Sequence, residues 1–237
     1  MKKILLLTVI SFFVLAAYSQ QETGVWASLS LDKKINKKWN IGVETDIRTI
    51  GGNDLYFVRL IDRWSFSVNA NYSLFKPVKL GVTYMIMNKL DTKYANYQWR
   101  NRILLTASGK QKWGDFSFSL RERLQITTKN DSKRIKDDGS TDTYAVNPDL
   151  TWRNRFQIVY DIPKSRFTPA ASFETFYSLN DPSGNKFDEL RYILSLTYKI
   201  DKHNFVELYG VYNYDPYILM ENMFNAYVIG VGYKIEI

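Results

Sequence analysis

Arginines recur along this chain in closely spaced sets: Arg59 and Arg63, Arg100 and Arg102, Arg121 and Arg123, Arg153 and Arg155, then Arg191. A planar guanidinium holds its donors in a fixed fork and pairs bidentately with carboxylate or phosphate. Such a set can bind anions or neutralise acids. The acids in comparable contexts are Glu44, Asp46, Glu174, Glu189 and Glu207. One tetrapeptide is used twice, as Trp99-Arg100-Asn101-Arg102 and Trp152-Arg153-Asn154-Arg155. In an extended strand successive side chains point to opposite faces, so each tetrapeptide puts both of its arginines on one face.

Other chemistry is thinly represented. His203 is the single histidine and lies in the polar stretch Asp201-Lys202-His203-Asn204. No serine stands near it at the spacing a Ser–His pair needs, so it reads as a solvated turn residue. With one histidine and no cysteine, the chain offers neither a transition-metal site nor a disulfide framework. Asp137-Asp138-Gly139 lacks the spaced carboxylates of a calcium loop and reads as a turn. No catalytic residue, metal or cofactor is assigned. The net charge of +8 could suit nucleic acid. The arginines, however, alternate with apolar residues and form no open basic stripe, so nucleic acid is not an expected partner.

The elements that must carry these side chains are long strands. Trp152, Asn154, Phe156, Ile158 and Tyr160 share one parity, and Arg153, Arg155 and Gln157 share the other. The last segment repeats the pattern, with Tyr227, Ile229, Val231, Tyr233, Ile235 and Ile237 set against Ala226, Val228, Gly230, Gly232, Lys234 and Glu236. Alternation predicts strands over 24–32, 38–48, 56–75, 78–88, 97–110, 114–128, 148–161, 166–179, 187–200, 203–214 and 224–236. Soluble strands cluster near about 5–6 residues, whereas a tilted membrane strand needs about 9–11; these segments fit the second class with a margin to protrude. The 17 Tyr, 14 Phe and 6 Trp would supply interfacial girdles.

Connections at Lys76-Pro77, Gln111–Trp113, Ile162–Ser165 and Asp201-Lys202 are tight, and those at 88–96, 129–147, 180–186 and 215–223 are long or polar. Outer-membrane barrels have short periplasmic turns and longer external loops, so the long set is expected outside. The loop Lys129–Asn147 has no apolar periodicity and is expected to be a mobile external flap. The expected fold is an all-β, antiparallel up-and-down transmembrane barrel of about ten to twelve strands, an even number being the rule for bacterial barrels. Asp62 breaks parity in 56–75 and marks a bulge there. Lys2 and Lys3, the apolar run Ile4–Ala16 and the small residues Ala17 and Ser19 form an export signal over 1–19, leaving 20–237 as the barrel.

An arginine or lysine facing lipid at the midplane costs about 2–4 kcal/mol. That cost sends the arginine parity inward. The residues expected to line the lumen are Arg59, Arg63, Arg100, Arg102, Arg121, Arg123, Arg153, Arg155, Glu174, Arg191 and Glu207, the six from 100 to 155 forming one basic wall. Either these arginines pair with acids and fill a closed structural barrel, or they guide small anionic solutes through a narrow channel. A lipid-modifying barrel enzyme would need a catalytic cluster that the residues do not offer. A soluble secreted β protein with an apolar interior would need shorter strands.

The order of several marks resembles the outer-membrane barrel family catalogued as domain of unknown function 2490, of Bacteroidota type. These marks are Trp26, Glu44-Thr45-Asp46-Ile47-Arg48, the paired arginines, Pro169 followed by Phe173-Glu174-Thr175-Phe176, Arg191-Tyr192 and Gly230-Val231-Gly232-Tyr233. The resemblance implies the outer membrane of a Gram-negative cell, with membrane lipid as a partner. It contributes no reaction or substrate. The C-terminal pattern around Gly232, Ile235 and Ile237 resembles the signal read by the barrel-insertion machinery, with Ile237 in place of the usual aromatic.

Overall fold

Alternating side chains hold the backbone extended over eleven strands: β1 (Glu22–Lys34), β2 (Trp39–Ile50), β3 (Leu60–Phe75), β4 (Val78–Asp91), β5 (Asn96–Trp113), β6 (Phe116–Lys129), β7 (Asp149–Tyr160), β8 (Phe167–Ser178), β9 (Lys186–Lys199), β10 (Asn204–Tyr214) and β11 (Ala226–Glu236). The computed structural model describes residues 22–50, 60–216 and 226–237, and no helix occurs among them. The segment 1–19 and Arg59 fall outside the described residues. The strands close into one barrel in sequence order.

Every consecutive pair is antiparallel, from β1–β2 round to β10–β11. An odd number of strands leaves β11 running in the direction of β1. The seam is accordingly parallel, from Glu22↔Ala226 to Asp32↔Glu236. Eleven strands lie within the expected ten to twelve; only the rule of an even number is not followed. Evenness follows only when the first and last strands must meet antiparallel, and a parallel seam also pairs its backbone groups, at slightly lower stability per residue. Beyond the seam, Lys34 N donates to the Ile237 carbonyl and Ile237 N to that of Asp32, both at 2.9 Å.

One rim carries the connections 35–38, 76–77, 114–115, 161–166 and 200–203, and the other carries 92–95, 130–148 and 179–185, with the end of β2, the start of β3, the end of β10 and the start of β11 on that same side. They are called here the short-turn and long-loop rims. Two expected connections are corrected. The stretch 88–96 is mostly strand closed by a tight turn, and 111–113 is strand, with the reversal at Gly114-Asp115. Gly114 has φ +58°, which a residue without a Cβ adopts at low cost. The pairing steps from Arg48↔Arg63 to Thr49↔Ile61, leaving Asp62 as the extra residue of a bulge. Ile61 and Trp64 can therefore both face outward.

Alternation sorts the two faces. Leu105, Leu120, Phe156, Leu194 and Ile229 are exposed on the outer wall, while Ser65, Gln98, Thr127 and Glu174 are buried within. A soluble β fold does the reverse. Asn101, Glu122 and Asn154 interrupt the outer wall and find local partners in Tyr84, Trp152 and Thr175. Aromatic rings pair near both rims. Trp39–Tyr72 and Phe167–Tyr198 lie near the short turns at 5.0 and 4.9 Å, and Tyr177–Phe187 and Tyr212–Tyr227 near the long loops at 5.0 and 4.8 Å.

Gly230 is opposite Trp26 on one side and Tyr209 on the other, all facing inward. A Cβ at Gly230 would overlap the Tyr209 ring. Gly230→Val should therefore destabilise the barrel by about 1–3 kcal/mol, the usual cost of overpacking. A lower urea midpoint in detergent would register it.

Candidate functional site

Adjacent strands bring the expected basic wall together. In the β6–β7 register Arg121 is opposite Arg155 and Arg123 opposite Arg153. Like charges directly opposite one another are destabilising, and one carboxylate offsets much of this. Glu174, 1% exposed, accepts from Arg121 Nη2 at 2.7 Å and Arg153 Nη2 at 3.0 Å, with Arg191 Nη1 3.9 Å away. Arg191 also donates to Glu189 at 2.7 Å and to Asn213 at 2.9 Å. A second acid, Asp46, accepts from Arg48 Nε at 2.7 Å, stands 3.9 Å from Arg63 and is hydrogen-bonded by Ser65.

Aromatic rings link these groups across the bore. The Arg48 guanidinium lies 3.8 Å from the centre of the Trp26 ring, and Arg191 lies 5.2 Å from it. Phe176 receives Arg153 at 4.4 Å and Arg191 at 4.7 Å. A chain of contacts thus runs from β2 through Trp26, Arg191, Phe176 and Arg153 to Glu174 and Arg121 on β6.

The ion pairing is incomplete. Arg102 and Arg123 donate through Nε to Thr127 and Thr106, at 3.0 and 3.1 Å. The Nε groups of Arg63, Arg100, Arg121, Arg153 and Arg155 are buried without a hydrogen-bond partner among the described residues. Glu44 and Glu207 face inward yet make no ion pair with a described residue. Two connected cavities of about 600 and 1060 Å³ occupy the bore, sharing Ser30, Glu44, Arg48, Arg123, Arg153 and Arg191. The larger reaches the short-turn rim at Lys37, Lys38 and Ile237. Of the expected lining residues, Arg121, Arg155, Glu174 and Glu207 border the smaller cavity and Arg63 and Arg102 the larger. Arg100 sits apart near the long-loop rim, donating to the Tyr144 hydroxyl at 3.3 Å.

That contact belongs to the loop 130–148, expected as an unattached flap. Instead the loop is tied to the 92–95 turn. Arg134 donates to Asp91 at 2.8 Å, as does the Tyr144 hydroxyl, while Asp142 accepts from Lys93 at 2.9 Å and Tyr94 at 2.8 Å. The hydrogen bonds from Lys93 and Tyr94 hold the Asp142 carboxyl down to about 2. An internal bridge, Ile135↔Thr141, braces it. Asp138 caps its own turn by accepting from Ser140 N and Oγ, at 2.9 and 2.7 Å.

His203 lies in the 200–203 turn with Nδ1 2.6 Å from the Glu236 carbonyl oxygen. Among the described residues no three His, Asp or Glu side chains are grouped to hold a metal. Arg48, Trp26, Phe176 and Tyr209 are inward residues that the expected lumen set lacks. Their parity with Ser28, Glu174 and Glu207 was the available signal, and it conflicts with assigning every aromatic to the outer wall.

A family model described as a protein of unknown function, DUF2490, matches residues 23–218. No curated protein matches the chain. Among solved structures, one described as a NanC porin superposes with a TM-score of 0.53 at 16% identity, covering 91% of this chain and 98% of its own. At that identity the likeness establishes the porin-like barrel fold alone.

Glu174→Gln should cost about 3–5 kcal/mol, because removing one partner leaves guanidinium charge uncompensated; chemical denaturation in detergent would measure it. Asp142 titrates lower in the folded protein than its ordinary 3.8. Its contribution is therefore present above that value and lost as pH falls toward about 2. Amide exchange in 130–148 should stay slow at pH 5 and accelerate in Asp142→Asn.

Proposed function

The chain belongs to the DUF2490 family of proteins of unknown function, and from that premise we propose an integral outer-membrane barrel of a Gram-negative cell whose lumen passes small anionic solutes. The outer wall supports the membrane setting. Phe167 and Tyr177, near opposite ends of β8, are about 33 Å apart along the strand at ~3.3 Å per residue. At a tilt of roughly 40° this spans about 25 Å, the height of the apolar band of outer-membrane barrels. The export signal over 1–19 would deliver the chain there, and the rim asymmetry would set the long loops outside.

The observation that carries the solute reading is the incomplete pairing of the arginine wall beside water-sized space. Arg123 and Arg155 border the smaller cavity without a carboxylate in ion-pair range among the described residues. Lys37 and Lys38 border the larger cavity at the short-turn rim. Positive charge at several successive stations lets an anion enter without being held too tightly at any one, which conduction requires. Cations meet the same field with the opposite sign. Catalysis has no part in this reading.

The contact chain from Trp26 to Arg121 favours a second reading, a closed structural barrel. Planar-bilayer recording separates the two. Under a KCl gradient the reversal potential should show chloride more permeant than potassium, and Arg102→Glu and Arg155→Glu should invert that preference. Silence of the correctly folded protein at all voltages would establish the closed barrel instead. Cation preference in the parent protein would contradict both the wall's assigned role and the proposal.

A further inference from the structure

We propose that the smaller lumen cavity is a binding site for zwitterionic solutes, whose anionic end is taken by Arg123 and Arg155 and whose ammonium end is taken by Glu44 and Glu207. This deepens the channel reading and rests on it for the solute's access to the lumen. The site is a slot between walls of opposite charge. In the closed ring of strands, β6 and β7 stand diametrically across from β1 and β2. The first wall presents Arg121, Arg123, Arg153 and Arg155. The facing side presents Glu44 and Arg48 on β2 and Lys234 on β11, with Glu207 on β10 on its other flank. Arg48 is paired with Asp46 and Lys234 with Asp32 and Glu236, so the unpaired charge on this side is that of Glu44 and Glu207.

The backbone holds the walls apart, and the space between them is left open by small side chains. Ser28 and Ser30 on β1 and Gly232 on β11 line the same cavity of about 600 Å³. Larger residues at those places would fill the space that separates the charges. That volume lies within the range of small-molecule sites.

The unused charges on the two walls identify the ligand. Glu174 is engaged by Arg121 and Arg153, which leaves Arg123 and Arg155 as the guanidiniums bordering this cavity without a carboxylate partner among the described residues. Arg155 Nε is buried with no hydrogen-bond partner there at all. Glu44 and Glu207 are likewise without an ion pair to a described residue, although the arginines that could neutralise them border the same cavity. The two sets do not collapse onto each other because the backbone fixes each to its own wall. A monoanion would satisfy the arginines while facing two carboxylates. A monocation would meet the reverse. A solute carrying both signs completes both walls, and the opposed charges also orient it across the bore. Specificity then comes from a repulsive element as well as an attractive one.

The test uses the full mature barrel in detergent micelles, so that it does not depend on conductance. Calorimetric titration compares glycine, γ-aminobutyrate and 6-aminohexanoate with the matched monoanions acetate, butyrate and hexanoate. At least one amino acid should bind ten or more times tighter than its monoanion. Glu44→Gln combined with Glu207→Gln should abolish that preference while leaving monoanion binding intact or stronger, and Arg155→Gln should weaken both series. Heat-dependent mobility in SDS gels checks that each variant is folded. The proposal is overturned if no amino acid outbinds its monoanion, or if the preference survives the double glutamate replacement. Anion-selective current with no such preference would retain the channel and discard the zwitterion site. Zwitterion binding in a silent barrel would do the opposite.

Discussion

A guanidinium cannot be left against hydrocarbon, and in a strand its position fixes the facing of every second neighbour. In the proposed membrane setting those two facts constrain the whole molecule. Once Arg153 and Arg155 are inside, Trp152, Phe156 and Ile158 must be outside. The β6–β7 register then places Arg121 and Arg123 inside beside them. Parity propagates round the barrel through the ladder pairings, and where it fails a bulge restores it. Asp62 is such a place, and it allows both Ile61 and Trp64 to face outward.

Crowding positive charge on adjacent strands raises a problem that Glu174 and Asp46 solve only in part. Each acid serves more than one arginine. Rings of Trp26 and Phe176 stabilise the same arginines, Arg48, Arg153 and Arg191, through their π faces, an interaction worth about 2 kcal/mol when desolvated. The outcome is a rigid cross-bore layer with residual positive charge beside it. On the proposed reading, rigidity and residual charge together would make the lumen a preorganised place for a charged solute, since no side chain must be drawn from elsewhere to meet it.

Much of this could be read from residues alone, because period-two alternation and the cost of misplaced arginine are both local. The strand set, the inward face and the bulge at Asp62 are examples. The aromatic residues were harder. Trp26, Phe176 and Tyr209 face inward where parity, not residue type, decides, and each meets an arginine or a glycine on a neighbouring strand. Strand parity could not distinguish Glu174, which is shared among arginines, from Glu44 and Glu207, which stand across open space. That difference depends on barrel curvature and on Ser28, Ser30 and Gly232 being small. The ordering of 130–148 was equally hidden, since its anchors on Asp91, Lys93 and Tyr94 lie far away in sequence. The eleven strands were legible one by one, but the parallel seam that joins the first to the last depends on closure, which no single strand encodes.

The porin-like fold and the parallel seam describe a container, and the character of its contents depends on which face holds the arginines. Because the chain has no cysteine, single replacements along β7 can report this without background. In lipid vesicles, Arg153→Cys, Arg155→Cys and Gln157→Cys should react with a small water-soluble thiol reagent. Phe156→Cys and Ile158→Cys should be shielded from it and quenched by brominated acyl chains when carrying a fluorophore. Reaction at the even positions with shielding at the odd ones would contradict the account.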